Sequence, residues 1–118
     1  MKVCVVEDDA IMLDHLVAQL EALGCDVVGA GDVDTALKRI DSFHPDALLV
    51  DILMPEKDGL TLIMELQRRR SEMRVVAITG GGRLGAGLLL KMADALGAHA
   101  TLVKPVSGDD LRAALQLA

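Results

Sequence analysis

Residues 47–51 read Ala47-Leu48-Leu49-Val50-Asp51, four apolar side chains in succession that stop at a carboxylate. A short apolar run without polar alternation suits a strand buried on both faces of a parallel sheet, since a strand with one solvated face alternates. Four other runs share this character: Lys2 to Val6, Asp26 to Ala30, Arg74 to Ile78 and Thr101 to Val103. Five strands are thereby predicted. Between them the apolar period becomes helical. Leu13, Leu16, Leu20 and Leu23 recur in steps of 3, 4 and 3 before Gly24 supplies a stop, which predicts a helix over Ala10 to Leu23. Asp32 caps a second helix that runs to Phe43, turns Ala36, Leu37 and Ile40 inward, and ends at His44-Pro45. Asp58 precedes a third, Leu60 to Arg69, with Leu62, Ile63 and Leu66 as its apolar stripe. The triplet Arg68-Arg69-Arg70 complements the dipole at the end of that helix. A fourth helix runs from Gly87 to Leu96 and stops at Gly97, and a fifth runs from Ser107 through Asp109 and Asp110 to the chain end. Strand and helix alternate five times. Right-handed crossovers then give an α/β fold, a doubly wound five-stranded parallel sheet, in which function gathers beyond the carboxyl ends of the strands.

The 118 residues fit one domain, 1–118. Of these, 52% are hydrophobic, yet there is one Phe and neither Tyr nor Trp, so the core must be aliphatic. Twelve Lys+Arg against 18 Asp+Glu give a net charge of −6, which argues against a surface that neutralises nucleic-acid phosphates. The apolar run Val3 to Val6 meets Glu7 after four residues, short of the roughly 7–15 of a signal peptide. No stretch approaches the roughly 18 apolar residues of a membrane span. A soluble, cytoplasmic protein without membrane contact is expected. Cys4 and Cys25 fit no metal-ligand spacing and read as buried thiols.

The residues with the most chemistry stand at strand ends: Glu7-Asp8-Asp9 after the first, Asp51 after the third, Thr79 after the fourth and Lys104-Pro105 after the fifth. Each has an ordinary explanation alone, since Asp9 can cap a helix and Lys-Pro can be a solvated turn. Together they form one constellation. Converging carboxylates repel unless a cation joins them, and Mg²⁺ suits a few carboxylates plus water and phosphate oxygens. An aspartate beside Mg²⁺ can act as nucleophile toward phosphorus. Thr79 and Lys104 are then placed to bind phosphoryl oxygens.

The motifs Val5-Val6-Glu7-Asp8-Asp9, Asp51-Ile52-Leu53-Met54-Pro55 with Asp58-Gly59, Ile78-Thr79-Gly80 and Val103-Lys104-Pro105 resemble, in order and spacing, the response-regulator receiver domain of two-component signalling. The resemblance spans nearly the whole chain. It implies a flavodoxin-like (βα)5 fold with strand order 2-1-3-4-5. It implies that Asp51 accepts a phosphoryl group from a histidine kinase or phosphotransfer protein, and that Asp8, Asp51 and the Leu53 carbonyl ligate Mg²⁺. Glu7 would hold a metal-bound water, Thr79 would bind the phosphoryl group, and Lys104 would pair with the Asp51 adduct. The Lys104-Pro105 bond is often cis in such domains. The protein is then a phosphoacceptor that promotes its own phosphorylation and dephosphorylation, rather than an enzyme of turnover. With the fifth helix completing the chain, a stand-alone receiver signalling in trans to an unknown downstream protein is expected. In the family the surface of the fourth helix, fifth strand and fifth helix serves dimerisation or partner contact. Leu88, Leu89 and Leu90 belong there either to the core, which leucine favours, or to an interface.

The pattern departs from the family at Thr101, where receivers commonly carry an aromatic switch residue. Output then falls to the loop Gly80-Gly81-Gly82-Arg83 and beyond, which holds five glycines in the eight positions to Gly87. That loop matches G-x-G-x-x-G, but it lies outside the first strand-helix unit and lacks the acidic residue of a dinucleotide site. Leu53 and Gly81 correspond to positions that admit hydrolytic water; neither orients it, so slow-to-moderate dephosphorylation is expected. His15, His44 and His99 read as surface or structural residues. A receiver within a larger regulator is the first alternative. A flavodoxin-like redox protein lacks aromatic residues to stack its flavin here, and an aspartate-dependent phosphatase would carry Asp where Leu53 stands.

Overall fold

The computed structural model describes residues 1–52, 59–80 and 86–117, with the backbone alone at 86, 89 and 90. Its elements are β1 Lys2–Val6, α1 Ala10–Ala22, β2 Asp26–Ala30, α2 Val33–Phe43, β3 Ala47–Asp51, α3 Gly59–Arg68, β4 Arg74–Thr79, α4 Ala86–Ala95, β5 Ala100–Val103 and α5 Gly108–Ala114. The strands form one parallel sheet in the order β2-β1-β3-β4-β5, as expected. Registers align the carboxyl ends: Val6 lies beside Ala30 and Val50, Asp51 beside Ile78, and Thr79 beside Val103.

Continuous apolar runs bury both faces of β1, β3 and β4, and alternate residues divide between two cores. Cys4, Val6, Leu48, Val50, Val75 and Ala77 face Val33 and Ala36 of α2, Leu62, Ile63 and Leu66 of α3, and Ala93 of α4. Val3, Val5, Ala47, Leu49, Val76 and Ile78 face Leu16 and Leu20 of α1 and Leu111 and Ala114 of α5. Full burial does not extend to β2 and β5, which are mostly half-buried. Among the described residues each has a strand neighbour on one side only, so composition alone misjudges their exposure. The core is aliphatic: Phe43, the single aromatic residue, is half-buried at the end of α2 with the Lys2 ammonium 4.8 Å from its ring centre.

Helix ends follow from local chemistry. The Asp9 carboxylate accepts from the Ile11 and Met12 N–H groups, and Asp32 accepts from Thr35 N–H at 2.7 Å. Ser107 and Asp110 form a reciprocal capping box on α5. Gly24 and Gly97, with φ of +88° and +106°, follow α1 and α4, and His44 closes α2 in the left-handed region at +52°. The cap expected of Asp58 lies outside the described residues. The fifth helix stops at Ala114 instead of reaching the chain end, because Arg74 Nε donates to the Ala114 carbonyl at 2.7 Å and Gln116 turns to φ +56°. Arg68 and Arg69 both pair with Glu65, so their role is a solvated ionic end to α3. Both cysteines are buried and free, and burial pushes the Cys4 thiol up to about 11.

Candidate functional site

Among the described residues, the buried polar side chains are Glu7, Asp51 and Thr79, exposed by 2%, 4% and 0%. All three stand at carboxyl ends of the central strands. Glu7 follows β1 and is anchored by its N–H to the Ala30 carbonyl at 3.0 Å; Asp51 ends β3, and the ladder continues past it through Ile52 N–H to the Ile78 carbonyl. The Lys104 N–H donates to the Thr79 carbonyl at 2.9 Å, which fixes Lys104 just beyond β5. From there its Nζ donates to Glu7 Oε2 and Asp51 Oδ2, each at 3.0 Å. The Lys104-Pro105 peptide is cis.

One carboxylate oxygen each from Glu7, Asp8 and Asp51 lies within 4.8 Å of the others. Asp8 is exposed, so the cluster opens to solvent on that side. Burial, followed by a hydrogen bond with Asp51, pushes Glu7 up to about 7, against the pull of Lys104. Burial lowers the Lys104 ammonium, but its hydrogen bonds to Glu7 and Asp51 and their charges outweigh it, so the group is held above its ordinary value. Two buried carboxylates thus share the Lys104 ammonium. The donors are all hard oxygens, and the cluster therefore fits a hard divalent cation.

Sequence reading left one contributor without a role. Gly59 opens α3 against the acid site: a Cβ there would lie 2.3 Å from the Asp51 carbonyl oxygen and 2.8 Å from Ile52 Cα. The Asp58-Gly59 pair at a helix start was the available signal.

Glu7, Asp8, Asp51, Thr79 and Lys104 are brought to one edge as expected. Leu53, Gly81, Gly82 and Arg83 lie outside the described residues. Gly80 is exposed, and a Cβ there would reach Lys104 Cδ at 4.0 Å. Thr101 is half-buried in β5 opposite Ala77. Leu88 is 49% exposed, against the preference for core; the side chains of Leu89 and Leu90 lie outside the described residues. His99 is structural: its Nδ1 accepts the Val75 N–H at 2.9 Å. No described helix is long and apolar enough to cross a membrane.

Comparison with known proteins points to one family. Residues 3–116 match the family described as response regulator receiver domain. The chain is 33% identical over 118 residues to the two-component response regulator PhoP of Pseudomonas aeruginosa, covering 98% of this chain and 50% of that protein. It is 35% identical to the transcriptional regulatory protein PdtaR of Mycobacterium tuberculosis, covering 99% of this chain and 56% of the relative. It thus spans about half the length of these relatives. Among solved structures, a response regulator receiver domain protein from Clostridium thermocellum superposes with a TM-score of 0.84 at 28% identity, covering 98% of this chain and 90% of that one. A CheY-like receiver domain protein from Methanospirillum hungatei gives 0.85 at 27%, with coverage of 98% and 90%.

Proposed function

This chain belongs to the response regulator receiver domain family, and from that premise we propose that Asp51 is its phosphoryl acceptor. The observation that carries the reading is the pair of 3.0 Å hydrogen bonds from Lys104 Nζ to Asp51 and Glu7, beside an opening lined by Asp8. In the step, an Asp51 oxygen attacks the phosphorus of a phosphohistidine. The P–N bond breaks with its electron pair passing to the imidazole, which takes up a proton, and an acyl phosphate is left on Asp51. The histidine belongs to a histidine kinase or phosphotransfer protein. Positioning and charge neutralisation carry such a transfer.

Asp8, Asp51 and the Leu53 carbonyl would hold Mg²⁺, with Glu7 acting through water. Bound there, Mg²⁺ supplies neutralisation of the carboxylates and the incoming phosphoryl oxygens. The Thr79 hydroxyl donates to a phosphoryl oxygen, and Lys104 exchanges part of its contact with Glu7 for the new dianion. Domain 1–118 passes the signal to another protein through surface contacts, with Thr101 in place of an aromatic switch and the loop after Thr79 as the moving part. Leu53 and Gly81 leave hydrolytic water unoriented, so dephosphorylation is slow to moderate. The protein works in the cytoplasm, and exposed Leu88, Met92 and Val103 suit the contact surface of α4 and β5.

Incubation with acetyl phosphate, with and without Mg²⁺, tests the reading by intact mass. One phosphoryl group is expected on the wild type in Mg²⁺ and none on Asp51→Asn; a metal-independent gain, or a gain that survives Asp51→Asn, sinks it. Amide chemical shifts with beryllofluoride test the output route, which is wrong if changes stay within the pocket.

A further inference from the structure

Gln19 lies on α1, remote in sequence from Lys104. Its Nε2 donates to the Val106 carbonyl at 3.0 Å, across the seam where Leu16 and Leu20 of α1 meet Leu111 of α5. Its Oε1 is buried and has no hydrogen-bond partner among the described residues. A buried amide oxygen without a partner is a cost that leucine or methionine would not carry. Packing alone therefore gives no reason for an amide at this position. What the amide adds is a donor.

The acceptor of that bond stands two residues beyond Lys104. The connection from β5 to α5 is held at one end by Lys104 N–H on the Thr79 carbonyl, and at the other by Ser107 N–H on Asp110 Oδ2 at 3.1 Å. Pro105 between them has no N–H to offer. The Val106 carbonyl is where α1 takes hold of this connection. A lysine side chain is long and flexible, so its ammonium is placed well only if its backbone origin is fixed.

We infer that Gln19 is a positioning residue for Lys104: by fixing the Val106 carbonyl it fixes the backbone from which Nζ reaches Glu7 and Asp51. The inference rests on the reading of Asp51 as phosphoryl acceptor for its functional meaning, but the positioning has its own measurement. Reductive methylation followed by peptide mass reports how freely each lysine amine reacts. In Gln19→Met, which keeps length and removes the donor, methylation of Lys104 is expected to rise by at least about threefold, while Lys2 and Lys91 are unchanged. Phosphorylation of the same variant by acetyl phosphate is expected to slow by about three- to tenfold, since small misplacements of a reacting assembly are costly. The melting temperature should change little, because removal of the orphan oxygen offsets loss of the bond to the Val106 carbonyl. Gln19→Lys, which restores a donor, should return Lys104 to wild-type reactivity. Gln19→Glu, donorless at neutral pH, serves as the second variant should Gln19→Met fold poorly. Unchanged Lys104 reactivity in the folded donorless variant overturns the inference whatever the phosphorylation rate. Raised reactivity in a protein whose wild type gains no phosphoryl group upholds the positioning and overturns only the acceptor reading.

Discussion

Replacing Gly59 with alanine tests how closely α3 is built onto the acid site. The added Cβ would stand 2.3 Å from the Asp51 carbonyl oxygen, 2.8 Å from Ile52 Cα and 2.9 Å from the Asp51 carbonyl carbon. An ordinary carbon-oxygen contact begins near 3.3 Å, so the shortfall is about 1 Å. All three neighbours are backbone atoms, and no rotamer relieves them. Overpacking of this kind costs about 1–3 kcal/mol, and the better helix propensity of alanine returns up to about 1 kcal/mol. The net loss of about 1–2 kcal/mol lowers the melting temperature by roughly 3–10 °C for a domain of this size. The clash bears directly on the Asp51 backbone, and a shift near 1 Å at a reacting group slows transfer on the order of 10²-fold. Thermal unfolding and the acetyl phosphate reaction measure the two effects. Gly108→Ala is the control, since it also opens a helix but its Cβ meets nothing within 4 Å. A Gly59→Ala protein with wild-type melting and wild-type phosphorylation would refute the argument.

Three further outcomes follow from the same geometry. Glu7 titrates near 7 in the fold against an ordinary 4.5, so the folded state holds its proton more tightly than the unfolded chain. Stability is lost as pH rises between these values, and Glu7→Gln should exceed the wild type by about 2–3 kcal/mol above pH 7 without divalent cations, the advantage vanishing below about pH 4.5. Parallel curves of denaturant midpoint against pH would contradict this. Lys104→Met strips two buried carboxylates of their ammonium and should cost about 3 kcal/mol at neutral pH, with millimolar Mg²⁺ restoring part of the loss; a melting temperature indifferent to Mg²⁺ would count against it. His99→Ala leaves the Val75 N–H without its acceptor and should cost about 1–2 kcal/mol in urea, whereas exposed His15→Ala stays within about 0.5 kcal/mol. Equal effects of the two would show that the His99 bond contributes nothing.

Five strands, five helices and the edge carrying the chemistry were legible because each rests on local pattern. A run such as Leu48-Leu49-Val50 announces its burial, and Glu7, Asp51, Thr79 and Lys104 are placed by being the next residues along. The features that escaped depend on partners far along the chain. Nothing near His99 announces that the Val75 N–H lies against it, 24 positions away. The ending of α5 at Ala114 depends on Arg74, and the role of Gly59 depends on a contact with Asp51 that appears only when α3 closes onto β3. Burial of β2 and β5 was overestimated since the sheet order, rather than composition, decides which strands are edges. Of the two places open to Leu88, core or interface, residue type favours the core, yet its position on α4 exposes it.

The ammonium and the carboxylates of the site do not share one foundation. Glu7 and Asp51 rise from interior strands, whereas Lys104 is carried by β5, four residues long and, among the described residues, paired on one side only. Hydrogen exchange should therefore divide the site in two. Amides of β1 and β3 should exchange only through global unfolding, and those of β5 through a smaller opening that lifts Lys104 away while the acids stay in place. As denaturant rises, the cation contact is then the first part of the site to go, and competence to react is lost while the sheet that built it still stands.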